Sequence, residues 1–183
     1  MNTMPPRPRV LAVCTGNICR SPAIERLLAV RLDGIDVLSA GTRAVVGHPM
    51  SEPMAALVEE AGASATGFTA RQLTPAVLQG VDLVVTATRG HRAAVVELAP
   101  ALVRRTFTLL ELARLLTAVP PEGATPGERL LAVPAAAARA RTAVRPGEDD
   151  VVDPIGQPAA VYRHSFDQML PAVEALASAV VGR

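Results

Sequence analysis

Tryptophan is absent from these 183 residues, and aromatic side chains amount to one tyrosine and three phenylalanines. Bases stack on aromatic faces, so a chain this poor in them is ill suited to nucleic acid. Charge is scarce as a signal too: 18 basic residues against 17 acidic leave a formal net charge of +1. Nothing in that balance draws the whole molecule to DNA or to a membrane, and any anion site must be local. No apolar run reaches the roughly 18 residues that a membrane span requires. The first ten residues, MNTMPPRPRV, carry prolines where an export leader needs an apolar helical core. A cytoplasmic chain is expected, in which two cysteines make no disulfide framework and stay reduced. Three scattered histidines and two cysteines five positions apart lack metal-ligand spacing, so no metal and no cofactor are expected.

What is present is an alternation of short apolar strands with longer helical stretches, dominated by Ala, Val and Leu. Strands are predicted at RVLAV (9–13), IDVLSA (35–40), VDLVVTAT (81–88) and TFTLL (106–110), the third apolar enough to be buried on both faces. Helices are predicted between them: 21–34, with Ala23, Ile24, Leu27, Leu28 and Arg31 on one face, 51–62, 90–100 and 111–117. A closing helix over about 157–181 carries Phe166, Met169, Val173 and Leu176 at helical spacing. This is an α/β domain with a mainly parallel four-stranded sheet. Length predicts a single domain over 1–183, interrupted by a Pro/Ala/Arg-rich insert at about 118–149 with a short helix near 127–141.

Both cysteines fall in one turn, CTGNICRS (14–21), between the first strand and the first helix. A turn so placed aims successive amides inward, and the helix N-terminus adds positive potential at the same point. Gly16 and Asn17 are read as the residues tolerating the left-handed backbone of such a curl. Arg20 supplies a planar fork suited to two phosphate oxygens. Cys14 then lies at the bottom of a positively biased cradle that favours its nucleophilic thiolate, and Ser21 is placed to donate a hydrogen bond to the sulfur.

The run Cys14, Thr15-Gly16-Asn17-Ile18-Cys19, Arg20, Ser21, Pro22 resembles the signature of the low-molecular-weight protein-tyrosine-phosphatase family. SAGT (39–42), TARQLT (69–74), VDLVVTATRGHRAAV and RTFTLLELARLL also resemble family positions. The resemblance implies a doubly wound, flavodoxin-like three-layer α/β/α fold with helices flanking the sheet. It implies Cys14 as nucleophile, Arg20 as phosphate ligand and Asp153, in VVDPIG, as general acid and base. Thr15, Gly16, Asn17, Ile18, Cys19 and Ser21 would form the phosphate-binding loop, with Ser39 bracing it. The implied partners are a phosphorylated substrate, either protein phosphotyrosine or a small phosphate ester, and inorganic phosphate as product.

The chain departs from the family where aromatic rings usually frame the substrate: Val45 and Val46 follow the second strand and Ile155 follows Pro154, so ring stacking is weakened. Phe68 stands nearest a position where some members carry a histidine. That substitution weakens a network role for His48, His91 or His164; His164 is read as a surface or packing residue, Tyr162 as a half-buried core residue, and Arg71 and Arg89 as surface arginines. Ile18 favours an aryl phosphate, because phosphoarginine phosphatases of this fold have threonine there. Arg129, Arg139, Arg141 and Arg145 raise the prospect of an insert reaching over the pocket. Cys19 is either a filler or a partner for Cys14 in a reversible disulfide under peroxide. Besides the tyrosine-phosphatase reading stand a phosphatase of sugar or other small phosphates, a weakly catalytic phosphate-binding module, and an arsenate reductase, for which further cysteines are lacking.

Overall fold

An apolar strand, β1 (Arg9–Cys14), runs through the middle of a four-stranded sheet, its last five residues buried. In this computed structural model, which describes residues 6–183, β2 (Asp36–Gly41) pairs with one side of β1. β3 (Leu83–Thr86) pairs with the other side, and β4 (Thr106–Thr108) lies beyond β3. The order is β2-β1-β3-β4 and every pairing is parallel, as the flavodoxin-like expectation requires. The leader reading rests in part on residues 1–5, which lie outside the described residues. No helix among the described residues is long and apolar enough to cross a membrane.

Parallel strands need crossover helices, which cover both faces of the sheet. Val10 and Ala12 point into the larger core with α1 (Arg20–Ala29), α2 (Glu52–Glu60), α5 (Leu109–Ala118), α6 (Pro126–Ala140) and α7 (Ala159–Val181). Leu11 and Val13 point the other way, toward Leu78 of α3 (Pro75–Leu78) and Val95 of α4 (Arg89–Leu98). The chain leaves β1 on one side to form β2 and returns on the other to form β3. The loop at the carboxyl end of β1 therefore occupies the switch point where open α/β sheets bind ligands.

Several boundaries differ from the sequence expectation, for local reasons. β3 and β4 are shorter than predicted, because Thr88 and Thr108 each turn a hydroxyl to the amide three residues on, His91 and Glu111, and so start α4 and α5. Pro100 opens a 3-10 turn, Pro100–Arg105, that the periodicity does not signal. The insert holds a 15-residue helix, α6, opened by a capping box of Thr125 and Glu128. Leu130, Val133, Ala136, Ala137 and Ala140 bury one face of α6 in the core with α5 and α7. Arg129 donates to the Val180 and Val181 carbonyls, Arg141 pairs with Glu111, and no insert residue lines the pocket formed by the loop after β1. The insert is thus built into the helical layer, because its apolar stripe outweighs its arginines.

Candidate active site

Cys14 ends β1 and Arg20 begins α1, so the five-residue loop between them is tied to rigid elements at both ends. Its carbonyls turn outward. Cys14, Thr15 and Gly16 accept the amides of Thr42, Arg43 and Val45, each at 2.9 Å, Ile18 accepts Ser51 at 2.7 Å, and Cys19 accepts Ala23 at 3.1 Å. The amides of Thr15, Gly16, Asn17, Ile18 and Cys19 donate to no group among the described residues. A loop with most of its carbonyls bonded away from its centre aims its N–H groups inward, which is an anion nest.

The curl depends on Asn17, whose φ of 53° is the one positive value among described non-glycine residues. Fully buried, its amide donates to Ser39 Oγ at 2.8 Å and Ser21 Oγ at 2.9 Å, and its oxygen accepts the Arg71 amide at 2.8 Å. Gly16 takes no left-handed conformation, contrary to the sequence reading; a Cβ there would lie 3.4 Å from Ile18 and 3.7 Å from Val45. The demanding glycine is Gly41, paired with Cys14, where a Cβ would collide with the Thr15 carbonyl oxygen.

From Asn17 the hydrogen bonds run in two directions. Ser21 Oγ lies 3.0 Å from Cys14 Sγ, the contact expected of it. Ser39, on β2, donates to the buried Glu25 carboxylate at 2.6 Å. Where the resemblance leads one to look for a histidine, Phe68 packs under the Arg26 guanidinium, 5.6 Å from its ring centroid, so Glu25 closes the brace instead. Cys19 points away from the nest to Ser51, 2.7 Å distant, and burial raises its thiol to about 11, which keeps it protonated. Tyr162 is buried in the main core rather than half-buried.

His91 was passed over in sequence and is part of the site. On α4 and 8 % exposed, it spans from Thr88 Oγ1 to Thr15 Oγ1, 2.8 Å on each side. Thr88 also accepts the His91 amide, so the imidazole is held at both ring nitrogens by hydroxyls that can each donate or accept. Burial, then the Arg20 guanidinium, pushes the imidazole down to about 4. The signal in sequence was Thr88 three residues before His91, but their proximity to Thr15 depends on the β1–β3 pairing.

Asp153 comes from the far end of the chain, yet its approach is anchored strongly. The Val151 amide donates to Ala87 O, Arg20 Nη1 donates to Val151 O at 3.1 Å, and Gln168 and Ser165 of α7 hold the two backbone groups of Val152. Asp149 pairs with Arg114, and Asp150 with the exposed Arg89. At the end of this segment Asp153, half exposed, meets the buried Arg20 at 2.7 Å. Arg20 Nε is buried without a partner among the described residues. The resulting pocket, about 210 Å³, is lined by the loop, Arg20, Asp153, Arg43 and the aliphatic Val45 and Ile155. It has no grouping of His, Cys, Asp and Glu fit to hold a metal ion among the described residues.

A model of the low molecular weight phosphotyrosine protein phosphatases matches residues 9–115, from β1 into α5; Cys14, Arg20, Ser39 and His91 fall inside the match, Asp153 beyond it. Low molecular weight protein-tyrosine-phosphatase Etp of Escherichia coli K12 is 43% identical over 91 residues, 50% of this chain and 62% of Etp. Low molecular weight protein-tyrosine-phosphatase Wzb of Salmonella typhi is 36% identical over 92 residues, 50% of this chain and 62% of Wzb. The chain thus spans about three fifths of the length of these curated relatives. The fold is similar over more of its length. The structure of tyrosine phosphatase AmsI from Erwinia amylovora covers 100% of this chain and 98% of its own at TM-score 0.72 and 22% identity. That of the YwlE arginine phosphatase from Geobacillus stearothermophilus covers 93% and 90% at TM-score 0.70 and 28% identity. With more than half of its residues matched by the family model, the chain belongs to the low molecular weight phosphotyrosine protein phosphatase family.

Proposed function

We propose that this protein hydrolyses phosphomonoesters through a cysteinyl-phosphate intermediate, with phosphotyrosine-like aryl phosphates as the favoured class. The observation that carries the reading is the loop around Cys14, with its carbonyls tied from outside and its amides unspent. A phosphate dianion suits that nest, and the buried, unpartnered Nε of Arg20 adds a charged donor.

Docking of the phosphoryl group draws Arg20 to its oxygens and frees the Asp153 carboxyl from the ion pair it makes in this structure. Cys14 Sγ attacks phosphorus in line; the sulfur–phosphorus bond forms as the ester phosphorus–oxygen bond breaks, and protonated Asp153 gives its proton to the leaving oxygen. Water then attacks phosphorus, Asp153 takes up its proton, and the sulfur leaves as a thiolate that accepts a hydrogen bond from Ser21. The amides and Arg20 meet the equatorial charge in both steps. Nucleophile, charge stabilisation and proton transfer all come from side chains and backbone, so the reaction is metal-independent.

A second reading has support of its own: YwlE, at 28% identity, is named an arginine phosphatase. Ile18 on the pocket wall argues for aryl over guanidino leaving groups. Sugar phosphates and other small esters present the same dianion, and a binding module would need the nest but no acid. Hydrolysis of p-nitrophenyl phosphate in EDTA tests the proposal. Turnover should vanish in Cys14→Ser and fall about 100-fold or more in Asp153→Ala. Turnover that needs added metal, or survives Cys14→Ser, refutes it.

A further inference from the structure

The pocket walls are aliphatic where a flat ring would be stacked, but they hold a second cation. Arg43 lines the same pocket as Arg20, and its side chain makes no hydrogen bond or ion pair among the described residues. Its backbone is fixed by the phosphate loop itself. The amides of Thr42, Arg43 and Val45 donate in turn to Cys14, Thr15 and Gly16, continuing the β1–β2 ladder beyond the last strand residue. From the other side Gln72 accepts the Ala44 amide and donates to Thr42 O, each at 3.0 Å. The base of the Arg43 side chain therefore keeps a set position relative to a bound phosphoryl group, and the exposed side chain lines the pocket's edge.

Three charged side chains line this pocket: Arg20, Arg43 and Asp153, the last paired with Arg20. A bound phosphoryl group engages Arg20 and the amides, leaving the Arg43 fork facing whatever adjoins the phosphoester. A guanidinium pairs with carboxylate or phosphate in the same planar, two-point geometry. We propose that Arg43 is a specificity-determining residue that selects substrates bearing a second anionic group, an acidic side chain or another phosphoryl group, beside the phosphoester. The inference rests on the phosphatase reading and names its substrate class; charge at the rim takes the place of ring stacking in the pocket.

The test uses Cys14→Ser protein for binding and the native enzyme for turnover. The probes are phosphotyrosine peptides flanked by glutamate, alanine or lysine, and a doubly phosphorylated peptide. Glutamate-flanked and doubly phosphorylated peptides should each bind about 3- to 10-fold more tightly than the alanine-flanked one. The advantage should shrink at high salt, as a half-solvated pair is screened. A preference for the doubly phosphorylated peptide alone would assign the second anion as phosphate. Adding Arg43→Ala should level the series and Arg43→Glu should invert it toward the lysine-flanked peptide, a reversal that unfolding cannot produce. Equal binding of acidic and neutral peptides, or a preference that survives Arg43→Glu, overturns the assignment even where p-nitrophenyl phosphate is turned over normally. Failure to bind any phosphopeptide or inorganic phosphate overturns it together with the phosphatase reading.

Discussion

Acidification should remove stability from this protein through His91. The unfolded chain titrates at that residue near 6.5; in the fold, burial first and the Arg20 guanidinium second push it down to about 4, with Asp153 and Asp150 pulling the other way. Between those values the unfolded chain holds a proton that the folded one refuses, so stability is complete above about 6.5 and declines as pH falls toward 4. Linkage between 6.5 and about 4 gives ~2 kcal/mol lost from pH 7.5 to pH 5, and ~3 kcal/mol once pH is below both values. The comparison protein is His91→Gln, which keeps a polar side chain able to hydrogen-bond and has nothing to titrate. Urea unfolding of both at pH 7.5, 6 and 5 reads the difference. The native protein should lose ~2 kcal/mol more than the variant over that range, or ~4–8 °C in Tm for a chain of this size. Parallel losses in the two proteins would refute the reasoning, because carboxylates titrate in both and only the imidazole distinguishes them.

Gly41→Ala should cost about 100-fold in kcat/KM on p-nitrophenyl phosphate, because its Cβ meets the Thr15 carbonyl and the Asn17 backbone and must displace the loop; wild-type kinetics would show that the loop tolerates the shift. Leu130→Ala, in the buried stripe of α6, should destabilise by about 2–5 kcal/mol in urea melts while leaving kcat/KM unchanged at temperatures where the protein is folded. A loss under about 1 kcal/mol would mean that the insert helix does not belong to the cooperative core. Cys19, held near 11 by burial, should resist iodoacetamide at pH 7.5 in the native protein and react in urea, by peptide mapping; rapid native labelling would contradict its burial.

Features spanning few residues were legible in the sequence. The strand–turn–helix run from Arg9 to Ala29, the order of the four strands along the chain and the apolar face of α1 follow from periodicity and local turn chemistry. The insert shows how far this extends: its helix was visible in composition, but whether Arg141 would reach toward a pocket or pair with Glu111 was not. Such a choice depends on which surface the apolar stripe of Leu130 and Val133 finds to cover it.

The sequence by itself determined that Cys14, Arg20 and the loop between them form one strand-to-helix turn, because all lie within seven consecutive residues whose geometry is set by local backbone preferences. Only the tertiary structure decided the rest of the site. Parallel pairing of β1 with β2 lays Arg43 against the loop, pairing with β3 carries His91 to Thr15, and the anchored segment before α7 delivers Asp153 to Arg20 across 133 positions. Those contacts join residues far apart in sequence, so they arise from burial of the sheet's two faces and from strand register, neither of which is encoded at the positions that finally touch.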